Sequence, residues 1–225
     1  MATLVCVTGC GQKAAQADKP DAPAATAVVY RDLPEQLEDD GTTISVGNPD
    51  ASRTFLFYED PRCPYCKEFE VDGGAELIEN QARKGDLKVQ YTLASFLDDR
   101  LGGHGSLKAV NALRAALEEG KFIEYHDVLY ANQPAEEVDG FTDAFLLKLA
   151  AKVPGLRGEE FDNAVKKVKY RDFVEASQQA YETAGAPGTP TLLIDGMSLP
   201  DSVAGFFFDK DSTRKVIAAF FPQKS

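Results

Sequence analysis

The sequence predicts an α/β domain with an all-helical subdomain inserted between its strands, and three observations carry this. Strand-like segments lie towards both ends of the chain, at 42–46, 54–58, 87–91 and 189–196. The roughly 80 residues from Leu101 to Gly185 carry only helical periodicity. A Cys-x-x-Cys unit, Cys63 and Cys66, opens a helix directly after the strongest strand. Strands outside and helices inside imply insertion into one domain, expected over 42–221, with the insertion at about 101–185. A chain of 225 residues can bury such a core without disulfide staples.

The first strand is expected at Thr42–Val46, followed by a turn at "GNPD" and a second strand at Thr54–Tyr58. Glu59, Asp60 and Pro61 end that apolar run, because Pro61 cannot continue a central ladder, so Cys63 sits just beyond a strand end. From Pro64 the pattern turns helical, with Phe69, Val71, Leu77 and Ile78 inward and a break at Gly73 and Gly74. Leu87, Val89 and Tyr91 then alternate as a half-buried strand does. Apolar stripes predict two helices separated near Gly120, one over Phe141–Lys152, and others over 159–167 and 171–183. The sheet resumes at 189–196, with a short strand around Met197–Pro200. A terminal helix follows, with Asp211 or Ser212 as N-cap and Val216, Ile217, Phe220 and Phe221 inward. "FFFDK" at 206–210 fits a core-filling segment better than an exposed binding patch.

Ahead of the domain, residues 1–10 are uncharged after the initiator and end in "VTGC", which resembles a bacterial lipobox whose cysteine, here Cys10, is lipidated. Nine residues without Lys or Arg are shorter than the roughly 15 to 30 of a signal peptide, so the segment reads as a truncated leader. A different leader, or a chance pair of Cys6 and Cys10 in a cytoplasmic terminus, are the other readings. Residues 11–30, rich in Ala, Asp, Lys and Pro, read as a tether. The expected location is extracytoplasmic, lipid-anchored to the outer face of the cell membrane or otherwise secreted. With 36 acidic against 24 basic residues and a net charge of -12, a nucleic-acid partner is disfavoured.

A Cys-x-x-Cys at a helix start is a chemical device. Unsatisfied first-turn amides and the positive end of the helix dipole favour a thiolate at Cys63. Cys66, one turn on, can close a disulfide with it, and Pro64 suits the first helical position. Zinc is disfavoured, since no second Cys-x-x-Cys exists and His104 and His126 lack ligand spacing. A structural disulfide closing four residues would restrain little chain entropy. An inert thiol pair is a further alternative to thiol–disulfide exchange.

"FYEDPRCPYCKEF", "GKFIEYHDVLYANQ" and "GAPGTPTLLIDG" together resemble the DsbA-like branch of the thioredoxin-fold superfamily, in which a helical domain interrupts a thioredoxin fold. The resemblance implies that Cys63 is the nucleophile and Cys66 the resolving cysteine. Thr189 and Pro190 match the family's loop beside the active site, whose proline is cis; without the resemblance, a trans proline opening an edge strand fits as well. Pro190 is expected to be catalytic together with Cys63 and Cys66, and Thr189, Pro190 and Tyr65 are the expected substrate-binding residues. The implied function is that of a dithiol oxidase acting on unfolded or cysteine-containing exported proteins, recharged by a membrane quinone-linked thiol oxidoreductase. It needs no cofactor or metal and is expected to be a monomer. A reductase or isomerase kept reduced by a membrane donor, and a non-catalytic chaperone-like lipoprotein, remain open.

One departure bears on proton transfer. The family's buried carboxylate, six residues before the nucleophile, is here Phe57. Glu59, on the same strand face, is the candidate replacement, with Asp60 weaker; a solvated strand end is the commoner fate of such residues. Arg62 and Lys67 flank the cysteines as possible thiolate stabilisers. His126 reads as an interdomain packing or hydrogen-bonding residue and not as a participant in exchange, and His104 has no assigned role.

Overall fold

In the computed structural model, which describes residues 33–221, the chain opens with β1 (Glu35–Leu37) and β2 (Thr43–Gly47). Between them the Asp40 carboxylate accepts from the amides of Thr42 and Thr43, both at 2.8 Å. β3 (Arg53–Glu59) leads into α1 (Pro64–Lys67), a π turn (Glu68–Asp72), α2 (Ala75–Arg83) and β4 (Leu87–Leu93). Six helices follow without a strand: α3 (Leu97–Leu101), α4 (Gly105–Glu118), α5 (Phe122–Ala131), α6 (Asp143–Ala150), α7 (Glu159–Lys167) and α8 (Arg171–Ala184). β5 (Thr191–Ile194), β6 (Met197–Ser198), α9 (Asp201–Ala204), a 3₁₀ turn (Gly205–Phe208) and α10 (Lys210–Phe220) complete the described chain. Residues 1–10, with Cys6 and Cys10, and the segment 11–30 lie outside the described residues.

The sheet order is β1-β2-β4-β3-β5-β6, and only the β3–β4 pair is parallel. A parallel pair needs a crossover, and α1, the π turn and α2 supply it. β3 is therefore central, with Phe57 opposite both Tyr91 and Leu192. On one face Phe55 packs edge-on against Phe207 and Phe220, and Phe57 lies 4.9 Å from Phe69, centroid to centroid. On the other face Tyr58 meets Tyr181 of α8, whose ring stacks on Phe96 at 5.3 Å. Apolar alternation in β3 and β4 thus anchors the crossover on one side and α8 on the other.

The break at Gly73 has a steric cause: a Cβ there would stand 2.6 Å from the Phe69 carbonyl oxygen and 2.9 Å from that of Phe207. No side chain fits where the π turn docks on the 3₁₀ turn.

Several boundaries differ from the sequence expectation. β1 was not expected; it is three residues long and largely polar, and its purpose is visible only in three dimensions. The Glu35 carboxylate accepts from the amides of Phe122 (2.8 Å) and Ile123 (2.9 Å), satisfying the start of α5. α6 starts at Asp143 because Thr142 caps it, its hydroxyl accepting from the Phe145 amide at 3.2 Å. The N-cap of α10 is Asp209, accepting from the Ser212 amide at 2.8 Å, in place of Asp211 or Ser212. The "FFFDK" segment divides: Phe207 is in the core, whereas Phe206 is 47% exposed. Among the described residues no helix is long and apolar enough to cross a membrane.

Candidate active site at Cys63 and Cys66

Asp60 organises the approach to the cysteines. Fully buried, it accepts from the Arg62 amide (2.9 Å), the Ser106 hydroxyl (2.6 Å) and the Leu97 amide (3.0 Å), tying the end of β3 to α3 and α4. Burial pushes its pKa up to about 6, against those three bonds. Both of its oxygens are occupied by scaffold contacts. The next turn is closed by the Cys63 amide donating to the Asp60 carbonyl at 2.9 Å. Gln133, just beyond α5, donates through Nε2 to the carbonyls of Pro61 (2.8 Å) and Cys63 (2.9 Å), so the helical insert clamps the loop.

Cys63 is the N-cap of α1 with Pro64 behind it. Both cysteines are free thiols, and Cys63 Sγ donates to the Thr189 carbonyl at 3.1 Å. The Thr189–Pro190 peptide is cis, and Thr189 and Pro190 are half-buried. Tyr65 is 62% exposed beside the thiols.

The two thiols are pushed apart. Cys63 is lowered to about 7, chiefly by the hydrogen bond from the Cys66 thiol; burial opposes this, and the Thr189 side chain and the amides of Cys66 and Tyr65 assist. Cys66, with no exposed surface, is pushed well up by burial, by its hydrogen bond to Cys63 and by the charge of Glu59. One sulfur is accessible to ionisation near neutral pH; the other needs a proton when it carries the electron pair. Arg62 does not supply the stabilising charge. Its buried guanidinium donates to Asp98 (2.9 Å) and to the carbonyls of Gly102 (2.8 Å) and Glu136 (2.9 Å).

Glu59 is not a solvated strand end. It is fully buried, and its Oε2 lies 3.0 Å from His126 Nε2. His126 packs against Tyr91 and Tyr130, each at 4.8 Å, and its Nδ1 lies 3.9 Å from Glu70 Oε2. Glu59, Glu70 and His126 each bring one ligand-type atom within 4.8 Å of the others, as do Glu70, Glu79 and Asp127. Such a set can hold protons or a cation. His126 is 67 positions from Glu59 and no spacing rule joins them. Glu70 had a local signal, because it lies one helical turn after Cys66. His104 is exposed at the start of α4, its amide donating to Asp139 at 3.1 Å, and takes no part in this cluster.

The thioredoxin family profile matches residues 39–206. The chain belongs to the thioredoxin family. Disulfide bond formation protein D of Bacillus subtilis is 26% identical over 174 residues, covering 76% of this chain and 74% of that protein. Oxidised BdbD from Bacillus subtilis superposes with a TM-score of 0.66 at 24% identity, covering 82% and 95% of the two chains. The MdbA thiol-disulfide oxidoreductase of Corynebacterium diphtheriae gives 0.62 at 22% identity, covering 76% and 89%. The fold is the DsbA-like form, a thioredoxin sheet interrupted by helices, and the chain is a protein disulfide oxidoreductase.

Proposed function

We propose that the chain is a dithiol oxidase that introduces disulfides into exported, cysteine-containing proteins through Cys63 and Cys66. The observation behind it is the unequal thiol pair, with Cys63 near neutrality against the Thr189 carbonyl and Cys66 buried and protonated. A substrate thiolate attacks Cys63 Sγ of the disulfide, and the Cys63–Cys66 bond breaks. Cys66 leaves with the electron pair and takes a proton, and the substrate is held on Cys63 as a mixed disulfide. A second substrate thiolate attacks the substrate sulfur, and Cys63 leaves as the stabilised thiolate. The protein is then reduced by two electrons, and a membrane quinone-linked thiol oxidoreductase removes them.

In this reading Thr189, Pro190 and Tyr65 hold the substrate segment, and Glu59 supplies the proton to Cys66. Export, with Cys10 carrying the lipid, fits an environment in which disulfides persist. The oxidising direction is supported by relatives named for disulfide bond formation, since the thiol pair itself serves either direction. The reduction potential of the pair, equilibrated against glutathione, decides. It is expected to be more oxidising than about -150 mV, whereas a value near the thioredoxin range of about -270 mV would make the protein a reductase.

A further inference from the structure

Beneath Cys66 lies a largely buried group of ionisable side chains drawn from the sheet, the crossover and the helical insert. β3 contributes Glu59, the π turn Glu70, α2 Glu79, β4 Tyr91, and α5 His126, Asp127 and Tyr130. Glu59 and His126 have no exposed surface, and the Glu70 side chain is 3% exposed. Four of the group's atoms, Glu59 Oε1, Glu70 Oε1, His126 Nδ1 and the Tyr130 hydroxyl, are buried without a hydrogen-bond partner. Carboxylate oxygens only accept, so two ionised carboxyls in hydrogen-bond contact leave each other unsatisfied; one proton between them supplies the missing donor. Burial, with repulsion from Glu59, Glu79 and Asp127, favours that proton on Glu70. His126 stands between the two carboxyls, its Nε2 on Glu59 and its Nδ1 towards Glu70.

We propose that His126, carried by the helical insert, is a positioning residue that reloads Glu59 with a proton held on Glu70, so the insert takes part in the active-site chemistry. The proposal rests on Glu59 protonating Cys66. When the disulfide opens, the imidazole releases its Nε2 proton to Glu59 and takes the Glu70 proton at Nδ1, and Glu59 passes its proton on to the Cys66 sulfur. One proton has moved from Glu70 to Cys66, no electrons are involved, and the proton returns when Cys66 is reoxidised. The imidazole has two nitrogens facing two acids, which makes it a relay and not only a packed ring.

The test is the rate at which dithiothreitol opens the disulfide of the full oxidised chain between pH 6 and 9, corrected for its thiolate fraction and read by acid quench and thiol alkylation. Glu59→Gln is expected to slow opening about 100-fold, at the low end of general-acid effects. His126→Asn and Glu70→Gln are each expected to slow it roughly tenfold above pH 7, with little effect at pH 6, where solvent protons compensate. The double variant Glu59→Gln/His126→Asn is expected to match Glu59→Gln alone, since His126 acts through Glu59. Unchanged rates in both His126→Asn and Glu70→Gln, with Glu59→Gln slow, overturn this inference alone. Multiplicative loss in the double variant does the same. An unimpaired Glu59→Gln removes the Glu59 proton step and this inference with it. Metal analysis of the purified protein is the remaining check: a stoichiometric divalent ion lost in Glu70→Gln would make the cluster a metal site and overturn the relay. Glu70→Gln, nearly isosteric, keeps the test usable if His126→Asn does not fold.

Discussion

Replacing Cys66 by serine is expected to turn the protein into a trap. Cys63 is still at the start of α1 against the Thr189 carbonyl, so it attacks a disulfide-bonded partner, but no second thiol remains to release the mixed disulfide. Non-reducing electrophoresis should show a covalent adduct that accumulates and disappears with reductant. Cys63→Ser should form no adduct and lose transfer activity by about 10³-fold or more, as expected when a nucleophile is removed. Retained activity in Cys63→Ser would remove the redox reading in favour of a binding protein.

The same pair sets a pH signature. The Cys66 hydrogen bond holds reduced Cys63 at about 7, below the ordinary 9 for a thiol. A depressed acid contributes stability that is fully present above its unfolded pKa and is lost as pH falls through the folded value. Two pKa units correspond to about 2–3 kcal/mol. Reduced wild-type protein should therefore gain about that much stability between pH 6 and pH 9 relative to Cys63→Ser, compared by urea unfolding. Cys66→Ser should shrink the difference, because the main donor to Cys63 is weakened.

Which parts of this site were legible in the sequence follows from the range of the interactions involved. The placement of Cys63 after β3 rests on local rules: Pro61 ends a ladder, Pro64 opens a helix, and Phe57 to Phe69 is a contact within one strand–turn–helix unit. The helical block was readable because apolar stripes persist through it without alternation. The insertion's purpose was not. Gln133 on the Cys63 carbonyl, Glu35 on the start of α5 and His126 on Glu59 join segments 67 to 88 residues apart. A polar side chain whose partner lies that far along the chain looks solvated until the fold brings the partner to it. Glu59 and Asp60 show the consequence. Adjacent acids at a strand end read alike, yet one faces His126 beneath the thiols and the other is bound up in three scaffold hydrogen bonds.

Arg62→Met separates scaffold from chemistry in the same way. By sequence, a cation beside Cys63 reads as a thiolate stabiliser; in the fold its side chain is 2% exposed and joined to Asp98 and two carbonyls at the entry to the helical insert. Asp98 in turn accepts from the amides of Ser106 and Leu107 (both 2.9 Å), which start α4. Methionine approximates the volume but leaves Asp98 without its cation and the two carbonyls without a donor. Breaking a buried pair from one side costs about 3–5 kcal/mol, and in a chain of this size that lowers Tm by about 6–20 °C. The Cys63 titration, followed by ultraviolet thiolate absorbance in the folded variant, should stay at about 7, because the groups that lower it are the Cys66 thiol, Thr189 and the amides of Cys66 and Tyr65. A variant as stable as wild type, with Cys63 titrating a full unit higher, would return Arg62 to the active site. Loss of stability with the thiol unmoved makes it the tie that keeps the Cys63 loop in register with the helices above it.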